Sequence, residues 1–378
     1  MTQKKDMGKI LRQFGLVIVA LIIIVFMSFT SDVFLTSQNI INILRQISIN
    51  GILAVGMTFV ILTGGIDLSV GSVVAITGVI VGSLLKGGTN WFVASLAALA
   101  ISMVCGAING WLIAYVGFQP FIATLSTMTI GRGFAQVYSN GKPYIISDPS
   151  FKVIGQGYFL GIPVPIILLV IFCVLGLVVL SMTTFGRYVF AIGGNKSAAK
   201  LSGVRTQRVQ LMVYVLSSIC AWMVGLILAA RISSGQPTAG ESYEMDAIAA
   251  TAIGGTSMNG GIGSLTGTIC GFVILGLLQN SMNLMNAAKE YGTDVLEDIR
   301  TGTGHLDAVH LKETVPGVFR EVPFGTGHVD FPSVIHETWK AGVRRYVTEF
   351  WYTGDPEWKK DLDLAVGMMR PLLDAQEA

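Results

Sequence analysis

A carboxylate inside an apolar run is where chemistry is sought first, because in lipid it must be received by protein or by a water-lined cavity. Asp67 is such a residue. It lies in Gly64–Ser72, reading GGIDLSVGS, between the apolar runs Gly51–Thr63 and Val73–Leu85. At the centre of an isolated span it would cost about 2.5–3.5 kcal/mol. Two readings fit: an interfacial turn between two spans, or a broken helix beside a solute path, as many transporters build one. Arg132 is the lone charge of the run Phe118–Tyr138. It reads as a snorkelling or loop arginine ahead of a pore residue.

A second interruption, Gly254–Ser264 (GGTSMNGGIGS), separates the apolar runs Ala247–Ile253 and Leu265–Leu278. Both interruptions begin Gly-Gly, end Gly-Ser and lead into a helix rich in small residues. Paired breaks of this kind point to a pseudo-repeat.

These residues need spans to hold them. The chain is 52% hydrophobic and 13% charged, a membrane-like balance, but the charges are unevenly placed. Residues 1–286 carry 15 basic and 7 acidic side chains, whereas 287–378 carry 10 and 16 and all four histidines. A boundary therefore falls near Asn286. Before it stands a polytopic helical membrane protein, and after it a soluble mixed-charge segment. No cleavable signal peptide is expected, because Phe14–Thr30 is long enough to span and no small-residue cleavage site follows. The four cysteines lie singly in apolar runs and read as packing residues.

Lys4, Lys5, Lys9 and Arg12 precede the first span, which puts the N-terminus in the cytoplasm. Spans are expected at Phe14–Thr30, Gly51–Thr63, Leu68–Leu85, Trp91–Tyr115, Phe118–Tyr138, Pro165–Met182, Leu211–Ala230, Asp246–Gly271 and Gly271–Met285, about eight to nine in all. Asn39–Asn50 is expected at the outer interface or at the start of the next span. Ser139–Pro163 is the longest external loop. Thr183–Arg208 is the most basic loop, with Arg187, Lys196, Lys200, Arg205 and Arg208 and no acid. Six spans place it on the side of the N-terminus, in agreement with its charge.

The membrane part has no Walker-type glycine loop and no catalytic constellation, so energy for uphill movement must come from a partner ATPase. Thr183–Arg208 is the candidate docking loop, because Gly193–Val204 (GGNKSAAKLSGV) has the makings of a short helix bounded by glycines. A plain positive-inside loop explains its charge equally well. The tail alternates strand and helix. Leu306–Lys312 and Arg345–Trp351 read as strands. Pro332–Gly342 and Glu357–Leu373 read as helices, the latter with Trp358, Leu362, Leu364, Val366, Met369 and Leu373 on its apolar face. This β-α-β-α order is the unit of an α/β barrel or a doubly wound sheet.

On these residues Met1–Asn286 resembles the permease subunit of ribose-type monosaccharide ABC importers. The matching stretches are NILRQISINGILAVGMTFVILTGGIDLSVGSVVAITG (Asn42–Gly78), FIATLSTMTIGRG (Phe121–Gly133), GRYVFAIGGNKSAAKLSGV (Gly186–Val204) and SGQPTAGESYEMDAIAATAIGGTSMNGGIGSLTGT (Ser234–Thr268). The resemblance implies a permease homodimer in the lipid of a bacterial inner membrane. It also implies a cytoplasmic ATPase pair that carries the ATP and magnesium, and an extracytoplasmic sugar-binding protein. It implies no nucleic acid and no cofactor in this chain. Asp67, Gln236 and Asp246 become candidates for the translocation path or its gates. Gly193, Gly194, Asn195, Lys196, Ala199, Leu201 and Gly203 become the segment that contacts the ATPase. The family's last span is not found after Asn286, from which impaired transport is expected.

The tail resembles the C-terminal end of metal-dependent pentulose-5-phosphate 3-epimerases, which are TIM barrels. The matches are AVHLKETVPGVFREVPFGTGHVDF (Ala308–Phe331) and YVTEFW (Tyr346–Trp351). The resemblance makes His310 and Glu349 two of four metal ligands, and Glu349 one of two acid/base carboxylates. The other ligands belong to strands this chain lacks, so both residues are expected to be relics that hold no working metal, and a quarter barrel cannot close its sheet. The rival reading is a metal-dependent epimerase built on this tail. A tail that binds a sugar phosphate and gates the permease is a third.

Overall fold

The computed structural model describes residues 2–290, 295–314, 322–327, 329–349 and 358–377; the side chains of 2–14, 286–290, 295, 297, 298 and 377 lie outside that description. The chain divides into two compact units, Met1–Ser281 and Met282–Ala378.

The first unit is helical. Its order is α1 (Thr2–Thr30), α2 (Ser37–Leu62), α3 (Val70–Lys86), α4 (Trp91–Trp111, continued by a π-helical turn Leu112–Val116), α5 (Pro120–Ser139), α6 (Pro149–Gln156), α7 (Val164–Met182), α8 (Thr184–Leu201), α9 (Thr206–Arg231), α10 (Tyr243–Ile253) and α11, which starts at Leu265 and runs on to Glu290. Starts follow local chemistry. The Thr36 hydroxyl accepts from the Asn39 amide at α2, and the Asp148 carboxylate accepts from the Ser150 and Phe151 amides ahead of α6, with Pro149 in its first turn.

Among the described residues, five helices are long and apolar enough to cross a membrane: Ser37–Leu62, Trp91–Val116, Val164–Met182, Thr206–Arg231 and Leu265–Met285. Gly15–Thr30 and Val70–Lys86 are shorter apolar helices. The expected eight to nine spans are thus redrawn. Asn39–Asn50 and Gly51–Thr63 are one continuous helix, α2. The expected span Asp246–Gly271 is cut in two: α10 has 11 residues, about 16 Å, too short for a bilayer core of about 30 Å. Its remainder is the first part of α11. The expected loop Ser139–Pro163 contains α6, whose Phe151 is fully buried, and the short antiparallel pair β2 (Tyr158–Phe159) and β3 (Ile162–Pro163).

Helices α2 and α11 run antiparallel. Asn39 and Asn280 exchange side-chain hydrogen bonds of 3.1 and 2.8 Å at one end, and Thr58 and Thr268 share one of 2.9 Å toward the other. One core cluster joins α3, α4, α5, α6 and α9 through Val79, Ala98, Ala135, Phe151 and Leu226.

The two interruptions end their helices with the same turn. After α2, Gly64 N–H donates to Ile61 O and Gly65 N–H to Val60 O; after α10, Gly255 N–H donates to Ala252 O and Thr256 N–H to Thr251 O. Gly64 (φ +77°) and Gly255 (φ +83°) hold the left-handed position that this helix ending requires. The equivalence is therefore Gly64 with Gly255, one residue out of step with the Gly-Gly match in the sequence.

The second unit contains α12 (Val295–Thr301), β5 (Val309–Leu311), α13 (Phe331–Lys340), β6 (Tyr346–Thr348) and α14 (Trp358–Glu377). Strands β5 and β6 pair in parallel, with His310 opposite Val347. Leu311, Phe324, Phe331, Ile335, Ala365 and Met369 form its small core. On α14, Leu364 and Val366 are exposed, contrary to the apolar face expected there; Ala365 and Met369 are the buried positions. Residues 315–321 and 328 of the epimerase-like stretch, and Phe350 and Trp351 of the expected strand, lie outside the described residues.

Candidate functional site: a discontinuous crossing

Between α9 and α10 the chain makes a short strand and then a run of turns, within the polar stretch Arg231–Met245 that separates two expected spans. β4 (Ser234–Gly235) pairs with β1 (Tyr144–Ile145), and the segment then runs along α3. A Cβ at Gly235 would collide with the backbone of Gly78, and one at Gly71 with Gly240 O and the Glu244 carboxylate. Backbone thus lies on backbone. Its turns close Ala239 N–H on Gln236 O and Tyr243 N–H on Gly240 O, which leaves Pro237 O and Ala239 O to be satisfied from outside the segment. Arg132 supplies the donors: its Nη1 reaches Pro237 O at 2.8 Å and Ala239 O at 2.7 Å. The side chain read as snorkelling or loop-bound holds the crossing in place instead. A polar stretch carrying Gly235, Pro237 and Gly240 between two apolar runs was the signal for it.

Gln236 lies on this segment and is exposed. Asp246 sits in the first turn of the half-helix α10. Its Oδ2 accepts from Gln279 Nε2 at 3.0 Å and Asn50 Nδ2 at 3.3 Å. Gln279 Oε1 accepts in turn from Asn50 Nδ2 at 3.2 Å and Gln46 Nε2 at 3.0 Å. Asn50 and Gln279 were not singled out in the sequence, although each is a polar residue within or beside an apolar run.

Asp67 belongs to a different cluster, at the turn between α2 and α3. It is fully buried. Its Oδ1 accepts from Ser69 N at 3.0 Å and Ser69 Oγ at 2.6 Å, and its Oδ2 from Ser217 Oγ of α9 at 2.8 Å. Ser69 Oγ also accepts from Asn109 Nδ2, and Asn109 Oδ1 accepts from Thr127 Oγ1 at 2.6 Å. The carboxylate therefore ties α3, α4, α5 and α9 together. Tyr214 Oη is buried without a partner among the described residues, and a Cβ at Gly65 would run into it. Replacing Asp67 by Ala would strand Ser69 and Ser217, at about 1–3 kcal/mol per buried group. Asp67→Asn keeps an acceptor for Ser69 and is expected to be the milder change. Melting of the purified protein checks both, and equal melting points for Asp67→Ala and the parent would overturn the assignment.

The segment expected to contact an ATPase is helix α8. Asn195 breaks it (φ −159°, ψ 101°) and starts a short second helix by accepting from the Ala198 amide at 2.9 Å. That helix ends at Leu201, and Gly203 follows at φ +86°. It thus begins two residues later than the glycine-bounded reading. Gly194, Asn195, Lys196 and Leu201 are exposed, and Ala199 is buried against the unit. Gly193 has a separate task. A Cβ there would overlap Leu62 O and Gly261 N, while Gly260 lies against Gly64 and Gly193. Gly261 N–H donates to Leu62 O at 3.0 Å. The turn that ends α2, the α10–α11 loop at Gly260–Gly261 and α8 therefore meet at one backbone junction.

In the second unit His310 Nδ1 is 3.5 Å from Glu349 Oε2, and Lys312 Nζ is 3.4 Å from Glu349 Oε1. Partial desolvation raises the Glu349 carboxyl, but Lys312 and His310 outweigh it and hold it below its usual range. The structure brings His310 and Glu349 together; among the described residues no group of three or more His, Cys, Asp or Glu side chains is placed to hold a metal.

A family model described as branched-chain amino acid transport system / permease component matches residues 39–296. The chain belongs to this permease family. The match runs past Asn286, where the resemblance read in the sequence stopped. The permease is 45% identical over 272 residues to the ribose import permease protein RbsC of Bacillus subtilis, covering 71% of this chain and 84% of that protein. It is 44% identical over 294 residues to RbsC of Haemophilus influenzae, covering 77% and 91%. The L-arabinose transport system permease protein AraH of Escherichia coli is 38% identical over 279 residues, covering 74% and 85%. No solved structure matches. The permease is a multi-pass membrane subunit of an ABC importer and not an enzyme; a subunit of this kind works with an ATPase and a substrate-binding protein.

Proposed function

We propose that this permease carries ribose, or a closely related pentose, inward across the bacterial cytoplasmic membrane as one half of a homodimer in lipid. The observation that carries the substrate is the 44–45% identity to relatives named for ribose import. The N-terminus is cytoplasmic, as Lys4, Lys5, Lys9 and Arg12 favour, and the exposed short helix of α8 after Asn195 contacts the ATPase. ATP and magnesium stay on that partner, and this chain holds no cofactor.

Gln236 and Asp246 border the solute path, supported by their place on a discontinuous crossing. Asp67 acts on gating through the turn it fixes. Residues 287–378 are read as the end of an epimerase-type barrel, supported by the parallel β5–β6 pair around α13; His310 and Glu349 do no catalysis there. This segment stands where the family's last span is expected, and uptake is correspondingly reduced. The test is uptake of labelled ribose by vesicles holding the permease, its ATPase and its binding protein. ATP-dependent uptake, slower than that of a relative with its last span, is expected. No ATP-dependent uptake of any pentose by the assembled complex would overturn the reading.

A further inference from the structure

Asn50 is the fourteenth of the 26 residues of α2, and so lies halfway along a helix long and apolar enough to cross a bilayer. Around it three elements converge: α2 with Gln46 and Asn50, α11 with Gln279, and the half-helix α10 with Asp246. A carboxylate and three amides at the level of the bilayer midplane are sustained by one another and by a water-lined cavity. Gln46, Asp246 and Gln279 are all partly accessible. The four side chains hydrogen-bond to one another, yet Asp246 Oδ1 and Gln46 Oε1 accept from no side chain or backbone group among the described residues, and neither oxygen is sealed from solvent.

We infer that Gln46, Asn50, Asp246 and Gln279 form a midplane station that binds the hydroxyl groups of the passing monosaccharide. This rests on the substrate class proposed above. A sugar hydroxyl is both donor and acceptor. The carboxylate and amide oxygens take its protons, and the amide N–H groups give to its oxygens. The network also explains release. When the station is empty, its groups satisfy one another. An arriving sugar exchanges one set of hydrogen bonds for another of similar strength. Binding is therefore weak and reversible, which a site on a transport path requires.

The test uses vesicles containing the complete complex, supplied with ribose and with its singly deoxygenated analogues at concentrations that saturate the binding protein. Removing one hydroxyl is expected to slow wild-type turnover about fivefold for at least one analogue. Gln279→Ala and Asp246→Ala are expected to slow ribose turnover by about tenfold, leaving the half-saturating concentration nearly unchanged, because the binding protein sets it. In these variants the penalty for that same analogue disappears, since the group that read the hydroxyl is gone. Asp246→Asn keeps an acceptor and should retain more activity than Asp246→Ala. A role that is merely structural would slow ribose and every analogue by the same factor, and that result overturns the inference. So does wild-type turnover in variants that assemble. Absence of uptake by the unaltered complex overturns the substrate reading and this inference with it. Normal uptake that Gln279→Ala and Asp246→Ala leave untouched overturns this inference alone.

Discussion

Gly193→Ala is expected to abolish uptake. The added methyl group would meet Leu62 O and Gly261 N, both backbone atoms that no rotamer change can move aside. Space can be made only if α8 withdraws or if the two turns behind it shift. Forced overpacking of one methyl typically costs about 1–3 kcal/mol, and more where the opposing atoms are main chain. The larger effect is mechanical, because α8 would then sit away from the turns it must move. Uptake should fall by at least about tenfold, and ATP hydrolysis should lose its dependence on substrate-loaded binding protein. Gly133→Ala is the control. It adds a methyl where no atom lies within 4 Å, and its uptake should stay within about twofold of the parent. Gly193→Ala transporting at the parental rate would remove the junction from the mechanism.

Arg132→Ala should be nearly as damaging, for a different reason. It leaves Pro237 O and Ala239 O without their donor. A buried carbonyl so stranded costs about 1–3 kcal/mol, and two lie on one unsupported segment. The turns after β4 offer these two carbonyls no other donor among the described residues, so Gln236 loses its place and the start of α10 loses its anchor. Lower thermal stability in detergent and loss of uptake are expected together. Arg132→Lys keeps the charge but not the planar fork, and should recover only part of both. An Arg132→Ala variant with parental melting and uptake would mean that the carbonyls find other donors.

Much of the membrane part was legible because its signals are local. Apolar length marks spans, and Gly64 and Gly255 mark helix ends. What escaped was set by partners far away in sequence. Asn39, Arg45, Gln46, Ser48 and Asn50 lower the hydropathy of the first half of α2, so the sequence left open whether it lay at the interface or began the span. In the fold Asn39 is met by Asn280, and Gln46 and Asn50 by Gln279, more than two hundred residues later. Arg132 was misread for the same reason, since nothing near it shows the carbonyls it serves. The break between α10 and α11 was legible at Gly254–Ser264, but not that the run before it is too short to span and belongs to a half-helix. Asp67 was singled out correctly as a costly residue. Its partners Ser69 and Ser217 place it in a buried node that binds helices, apart from Asp246. The tail's strand and helix order followed from its periodicity, but Leu364 showed that a list of apolar residues is not yet a face.

The meeting of the Gly64 turn and the Gly260–Gly261 loop has a consequence for timing. Each belongs to a different helical hairpin, α2–α3 or α10–α11, yet both loops rest on the same few atoms of α8. Contacts between bare backbones have no side chains to yield and so almost no slack. A displacement of α8 by more than a few tenths of an ångström is therefore felt by both hairpins in the same instant. On the coupling proposed above, one lever works two doors, and neither can be left ajar while the other swings.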